Sequence, residues 1–188
     1  MLNGMVKRFF AVLLCMGMLV GMMLPVQANA AASHSHPVCG ATCRCTDSHS
    51  SSNWTAWDGT TKLYNGDYYL TKNIVLNSTM ILDYGYTTRL CLNGYTITCE
   101  DRVFDIYSYR SLLVTDCKGT GVIETTGMDC AIGNNRYLSI WGGTIRNSSD
   151  YGPAIEAYNG TITYVCGGRV ESEGYSAIDG MPGCDIRI

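Results

Sequence analysis

Short β-rich runs separated by Gly, Asn and Asp fill the chain from residue 54 onward. They include "YYLTKNIVL", "TRLCLNGYTIT", "SLLVTD", "YLSIWGGTIRN" and "GTITYVCGGRVES". Val, Ile, Thr and Tyr dominate these runs, and such residues favour strands. No stretch after residue 30 keeps a helical period. The pattern therefore predicts an all-β fold.

Apolar positions recur in three series at intervals of roughly 22 to 28 residues, which indicates a repeat architecture. The first series is Ile97, Ile123, Ile145 and Val170, the second is Phe104, Ile132, Ile155 and Ile178, and the third is Leu90, Leu112, Leu138, Ile162 and Ile186. Stacked turns of about three short strands each would bury these side chains in one column. We predict a parallel β-helix of about four to five coils over residues 54–188. An antiparallel meander or sandwich is the alternative, because turn signals at short intervals also fit it.

Residues 1–30 have the features of a secretory signal peptide. Lys7 and Arg8 precede an apolar run over residues 9–24, and "VQANA" ends in the Ala-x-Ala pattern of a cleavage site. The run is short for a membrane span. We expect cleavage after Ala30 and a mature chain without a span, secreted or held at the cell surface. No basic residues cluster, which argues against nucleic acid as a partner.

Residues 31–53 are polar and rich in Cys and His, with too few large apolar side chains for a core. "HSHPVCGATCRCTDSH" over residues 34–49 holds all three histidines and three of the ten cysteines. Cys39, Cys43, Cys45 and His49 supply the donor types of a structural zinc, which would clip the segment onto the first coil. Because exported cysteines often oxidise, a disulfide within the segment or to a distant cysteine stays open, as does an unstructured leader.

Two further cysteines stand about one coil apart. Cys91 and Cys117 are separated by 26 residues, so they are a candidate disulfide between adjacent coils; two packed, reduced thiols are the alternative. Cys166 aligns with Trp141 through "CGG" and "WGG", which predicts a packing position for Cys166.

Acidic residues are dispersed, and no histidine follows His49. The densest group is Glu100, Asp101 and Asp105, with Arg102 nearby. A weak calcium site or a catalytic patch at this group stays open beside a solvated loop. No motif of a lyase or hydrolase stands at these positions, so no catalytic residues are assigned.

A tyrosine precedes the first strand of each unit, at Tyr86, Tyr109, Tyr137 and Tyr158. Stacked coils would place these rings in a row along one edge. Amphipathic rings in a row can stack on sugar faces while their hydroxyls stay wet. A structural ladder, in which each ring covers the next, is the alternative.

"WTAWDGTT", "GDYYLTKNIVL", "LCLNGYTIT" and "LLVTDCKGTGVIET", in that order, resemble the N-terminal part of large surface proteins from gut Gram-positive bacteria. The resemblance covers about residues 34–188 and implies a right-handed parallel β-helix of the pectin-lyase-like type. It implies no settled activity. The chain stops at "CDIRI" within a new strand, so we expect either further coils downstream or pairing with another chain.

We therefore expect a secreted or cell-surface β-helix module for adhesion, with a polysaccharide or host glycan as partner and possible structural zinc as its one cofactor. A polysaccharide lyase or hydrolase with active residues in further coils is the second reading. A structural stalk is the third.

Overall fold

The computed structural model describes residues 54–82, 87–107 and 109–188. Within these residues there are seventeen short strands and no helix. Every strand pairing is parallel, and in all but the first pair the two strands lie about one repeat apart in sequence. The described residues belong to one compact unit. The predicted parallel β-helix is confirmed as a parallel β-solenoid of about five coils.

Three parallel sheets form the walls of the solenoid, because each coil contributes one strand to each wall. Sheet I, in the order β1-β2-β5-β8-β11-β14-β17, consists of β1 (Thr55–Trp57), β2 (Gly66–Leu70), β5 (Thr87–Cys91), β8 (Ser111–Thr115), β11 (Tyr137–Ile140), β14 (Ile162–Val165) and β17 (Asp185–Arg187).

The other two walls have five strands each. Sheet II consists of β3 (Ile74–Leu76), β6 (Thr96–Cys99), β9 (Val122–Thr125), β12 (Thr144–Asn147) and β15 (Arg169–Ser172). Sheet III consists of β4 (Met80–Leu82), β7 (Phe104–Ile106), β10 (Ile132–Asn134), β13 (Ile155–Ala157) and β16 (Ile178–Gly180).

Two of the three predicted apolar series form continuous columns in register. In sheet II, Ile97, Ile123, Ile145 and Val170 are direct neighbours on successive strands. In sheet III, Phe104, Ile132, Ile155 and Ile178 are direct neighbours in the same way. All but the last member of each column are fully buried. At roughly 1.5–3 kcal/mol for each buried aliphatic side chain, these columns supply much of the stability.

The predicted third series is wrong at two of its five members. Leu90 pairs with Val114, two residues beyond Leu112. Ile162 pairs with Tyr137 and points outward, whereas Thr163 takes the inward place beside Leu138. Thr163 is fully buried, and its hydroxyl accepts a hydrogen bond from Asn134 Nδ2 at 2.9 Å. A polar residue therefore interrupts the column because its hydrogen bond is satisfied inside.

Glycines at positions 94, 121, 143 and 168 lie in the bends between sheets I and II. Gly143 has a φ of +83°, a conformation that costs other residues strain. A Cβ atom at Gly121 would clash with the side chain of Leu92 from the preceding coil. These bends allow the coils to stack closely enough to bury their inward side chains.

No helix within the described residues is both long and apolar enough to cross a membrane.

Candidate functional site

The outward face of sheet III carries acidic side chains at one register position. The residues that follow each member of its apolar column are Asp105, Gly133, Glu156 and Asp179, and these are direct neighbours on β7, β10, β13 and β16. Parallel strands lie about 4.8 Å apart, so the carboxylates would repel one another without a counter-charge. The glycine leaves a gap between Asp105 and Glu156.

The guanidinium of Arg102 fills this gap. A Cβ atom at Gly133 would clash with Arg102 Nη1, so the glycine makes room for it. Arg102 Nη1 lies 3.3 Å from Asp105 Oδ1, and Nη2 lies 2.9 Å from Asp129 Oδ1 and 3.2 Å from Glu156 Oε2. One cation from the second coil thus contacts carboxylates from three successive coils.

Tyr158 completes this arrangement. Its hydroxyl donates a hydrogen bond to Glu156 Oε2 at 2.6 Å and accepts one from Arg102 Nη2 at 3.2 Å. The guanidinium carbon of Arg102 also lies 6.0 Å from the centre of the Tyr158 ring, within cation–π range. We call Arg102, Asp105, Asp129, Glu156 and Tyr158 the arginine cluster. Its three carboxylates and one guanidinium give it a net negative charge.

Burial and the cation set the protonation of the cluster. Burial raises the pKa of Asp105, although Arg102 opposes that rise. Burial also acts on Asp129, but hydrogen bonds from Arg102 and from the Cys130 backbone outweigh it and lower the pKa of this carboxyl. Burial, together with the bond to Glu156, raises the pKa of Tyr158 to about 12. The phenol therefore stays protonated at neutral pH and can keep donating to Glu156.

Asp129, Cys130 and Glu156 could hold a metal ion, since one ligand atom from each lies within 4.8 Å of the others. Two features oppose metal binding here. Arg102 already contacts both carboxylates, and burial raises the pKa of Cys130 to about 12. A thiol must lose its proton to bind a metal. Asp129 and Glu156 are therefore already paired within the arginine cluster, and Cys130 is a buried thiol beside it.

The arginine cluster differs from the acidic group that the sequence singled out. Glu100 and Asp101 are exposed, whereas Asp105 joins Asp129 and Glu156 from the next two coils. The sequence did hold a signal for this, because acidic residues follow three of the four members of the second apolar series. The residues that follow the members of that series point outward and lie in register, so the series itself predicts that Asp105 and Glu156 share one face.

The predicted tyrosines do not share one environment. Tyr109 is 82% exposed. Tyr137 is the first residue of β11, and its ring centre lies 5.6 Å from that of Tyr164 on β14. Tyr158 belongs to the arginine cluster, and Tyr86 lies outside the described residues. The prediction that these rings bind a glycan stays a prediction.

Tyr109 is the third residue of a turn, and glycine occupies the same position in the equivalent turns of two other coils. Three four-residue turns link sheet III to sheet I, and each is closed by a backbone hydrogen bond from its fourth residue to its first. The turns are 107–110, 158–161 and 181–184. Their third positions are Tyr109, Gly160 and Gly183, with φ values of +68°, +74° and +88°. Only glycine adopts this conformation without strain, yet the 107–110 turn has a tyrosine.

The cysteines to which the sequence assigned a role fall into three groups. Cys39, Cys43, Cys45 and His49 lie outside the described residues, so the zinc site stays a prediction. Cys91 Sγ and Cys117 Sγ are 4.0 Å apart, about twice the length of a disulfide bond of ~2 Å, so the disulfide also stays a prediction. Cys166 is disulfide-bonded. The alignment of Cys166 with Trp141 predicted a packing position and did not predict this bond.

No protein-family model matches the chain, and comparisons with curated proteins and with solved structures gave no match either.

Proposed function

We propose that this protein is a secreted or cell-surface β-helix module that binds a glycan, and that the 107–110 turn is its main contact. The resemblance to bacterial surface proteins belongs to this proposal, as does export by the N-terminal leader. The conformation and exposure of Tyr109 are the observation that carries it.

A tyrosine in the left-handed region costs roughly 1–2 kcal/mol, and glycine would avoid that cost. Backbone strain of this kind is concentrated at binding sites and switches. The ring of Tyr109 gains little by packing, because it is 82% exposed, and Tyr107 in the same turn is 48% exposed. Two exposed rings on one short turn offer flat apolar faces with polar tips, which suits the faces of sugar rings.

The arginine cluster holds its acidic groups in ion pairs and hydrogen bonds, which argues against catalysis at its own position. A lyase or hydrolase needs an acid or base that is able to transfer a proton. In this cluster Arg102 contacts all three carboxylates, and Tyr158 holds its proton. The second candidate function, a polysaccharide lyase or hydrolase, therefore relies on residues in further coils. A zinc ion on Cys39, Cys43, Cys45 and His49 would serve either function only by holding residues 31–53 in place.

The test is retention of the mature protein on pectins, mucin glycans and plant polysaccharides, with ultraviolet absorbance of unsaturated products read in the same tubes. Tyr109→Ala should weaken retention by roughly ten- to thirtyfold, the usual loss for a central tyrosine contact. Tyr151→Ala is the matched control, since Tyr151 is also exposed but lies in the turn before β13. Equal retention of both variants would refute the proposed contact, and products would favour the enzyme. If the folded protein shows neither retention nor products, the result would favour a stalk.

A further inference from the structure

A cavity of about 580 Å³ lies beside the first strands of sheets II and III. The loop 58–62, which follows β1, forms one wall, and the segment 72–81, which contains β3 and the start of β4, forms the other. The cavity is distinct from the 107–110 turn and from the arginine cluster, because it shares no lining residue with either. Its volume is within the range of ~300–1,000 Å³ that is usual for small-ligand sites.

The wall formed by the loop is held in place by its own contacts. Trp57 is buried, and its Nε1 donates a hydrogen bond to Thr61 O at 2.8 Å. Asp58 Oδ1 accepts hydrogen bonds from the Thr60 backbone N–H at 3.1 Å and from Thr60 Oγ1 at 2.7 Å, which fixes the turn. Gly59 has a φ of +85°, and a Cβ atom there would clash with a side chain of β3. The loop therefore forms its wall of the cavity without help from a ligand.

The opposite wall is an edge of two sheets. Within the described part of the chain, β3 pairs only with β6, and β4 pairs only with β7. No backbone hydrogen bond between described residues joins the loop 58–62 to either strand. Peptide groups on this side of the strands can therefore bind a ligand. Val75 and Ile81, which are 77% and 40% exposed, add apolar surface to the same wall.

Hydroxyl and amide side chains occur on both walls. Thr60 lies on the loop, and Asn73, Asn77, Ser78 and Thr79 lie before and after β3. Each of these groups can both donate and accept hydrogen bonds, as can the hydroxyls of a sugar ring. The combination of such groups with some apolar surface is suited to a sugar, whose ring has polar edges and less polar faces.

The charged residues of the cavity are mainly basic, although the whole chain has a formal net charge of −3. Lys62 and Lys72 line the cavity together with one acidic residue, Asp58. They are two of the three lysines after residue 53, and Lys118 is the third. Hydrogen bonds from Thr60, and then the charge of Lys72, lower the pKa of Asp58, so this carboxylate is ionised at neutral pH. An excess of positive charge in a cavity attracts anions.

We infer that this cavity binds a sugar unit that carries a carboxylate, with the carboxylate on Lys72 and the sugar hydroxyls on the amides and hydroxyls of the walls. Hydrogen bonds between an ammonium group and a carboxylate are stronger than those between neutral groups, so the acid is preferred over a neutral sugar. A peptide strand added to the edge is less well suited, because β3 has only three residues, Ile74–Leu76, with which to form main-chain bonds. The inference does not depend on the contact at Tyr109.

The experiment is calorimetric titration of the mature protein with two matched pairs of sugars. Sialyllactose and lactose differ by one sialate unit, and glucuronate and glucose differ by one carboxylate. We expect at least one acid to bind about tenfold more tightly than its neutral counterpart, and the pair that shows it distinguishes a sialate from a uronate. This preference should shrink as the salt concentration rises. Equal binding within both pairs, or no binding, would overturn the inference. Binding of a capped Thr–Val hexapeptide instead of the sugars would assign the edge to a peptide and overturn it too.

Variants at Lys72 test which group holds the carboxylate. Lys72→Gln should weaken binding of the acidic sugar by about tenfold, to the level of the neutral one, whereas Lys72→Arg should keep most of the preference. Lys118→Gln is the matched control, since Lys118 is also exposed but does not line the cavity. Equal affinity for the acid in Lys72→Gln and Lys118→Gln would show that Lys72 does not bind the carboxylate.

Discussion

Tyr109 occupies the turn position that Gly160 holds two coils later, and both residues have a positive φ, of +68° and +74°. The two turns are closed by equivalent bonds, from Arg110 N–H to Tyr107 O and from Thr161 N–H to Tyr158 O. The glycine turn shows that the solenoid can make this corner without strain. The tyrosine at the equivalent corner is therefore not required by the fold.

This relationship separates stability from binding at a single position. Tyr109→Gly should raise the free energy of unfolding by about 0.5–1 kcal/mol, because relief of roughly 1–2 kcal/mol of strain exceeds the entropy that glycine loses on folding. Urea unfolding measures the gain, and retention on glycans should fall in the same variant. Tyr175→Gly, at an exposed tyrosine without a positive φ, should be neutral or destabilising. A loss of stability in Tyr109→Gly would contradict the strain argument.

Removing the guanidinium from the arginine cluster should be costly. Arg102 is 14% exposed and contacts three carboxylates, so Arg102→Met leaves three like charges close together without their cation. We expect a loss of about 2–4 kcal/mol in the free energy of unfolding, below the full cost of a broken buried pair because Asp129 is half exposed. Circular dichroism during urea titration gives the value.

Arg169→Met is the matched control, because Arg169 is largely exposed and contacts only Glu171 in the described residues. Its loss should stay within about 0.5 kcal/mol. Similar losses in the two variants would mean that Arg102 contributes no more than a surface ion pair.

The sequence predicted the solenoid but not the arginine cluster, because the two features leave different patterns in the chain. The columns through Ile123 and Ile132 consist of similar apolar residues at a regular interval, so the repeat can be recognised from the sequence alone. The cluster combines Arg102, Asp129 and Glu156, which follow one another at intervals of 27 residues. They differ in charge and in side chain, so this interval does not stand out as a repeat of similar residues. Which outward side chains meet depends on loop length and on the gap at Gly133, and these emerge only when the coils are stacked.

The pair Cys91 and Cys117 should form a disulfide when a small disulfide oxidant is supplied. Their sulfur atoms are 4.0 Å apart and the residues 26 positions apart, so bonding would close a loop of one coil. The chain-entropy relation gives about 3.5 kcal/mol of added stability for such a loop. Burial raises the pKa of Cys91 to about 12, so the exposed Cys117 should react first.

Comparison of the oxidised wild-type chain with oxidised Cys117→Ser isolates this pair from the disulfide of Cys166. The wild-type chain should unfold at a higher urea concentration, and its 26-residue loop should be detected as a linked peptide pair. Quantitative alkylation of both thiols after oxidation would rule the bond out.

Tyr158 should make the protein lose stability at alkaline pH. Its pKa is raised to about 12 by burial and by the bond to Glu156, whereas an unfolded tyrosine titrates near pH ~10. Between these values the unfolded chain releases the phenolic proton and the folded chain keeps it. The contribution is therefore fully present below pH ~10 and is lost as pH rises towards about 12. Cys130, with its pKa also raised to about 12, acts in the same direction from about pH 9.

Tyr158→Phe should reduce the loss of stability at alkaline pH, and the part of that loss that comes from Cys130 should remain. At pH ~8 the variant should also be less stable by about 1 kcal/mol, because Glu156 loses the hydroxyl that donates to it. Urea midpoints measured from pH ~8 to ~11 give both effects, with Tyr175→Phe as the exposed control. If the urea midpoints of the wild-type chain and of Tyr158→Phe fell in parallel with rising pH, the phenol of Tyr158 would have to have the same pKa in the folded and unfolded chains. That result would contradict the close contact with Glu156 on which the arginine cluster depends.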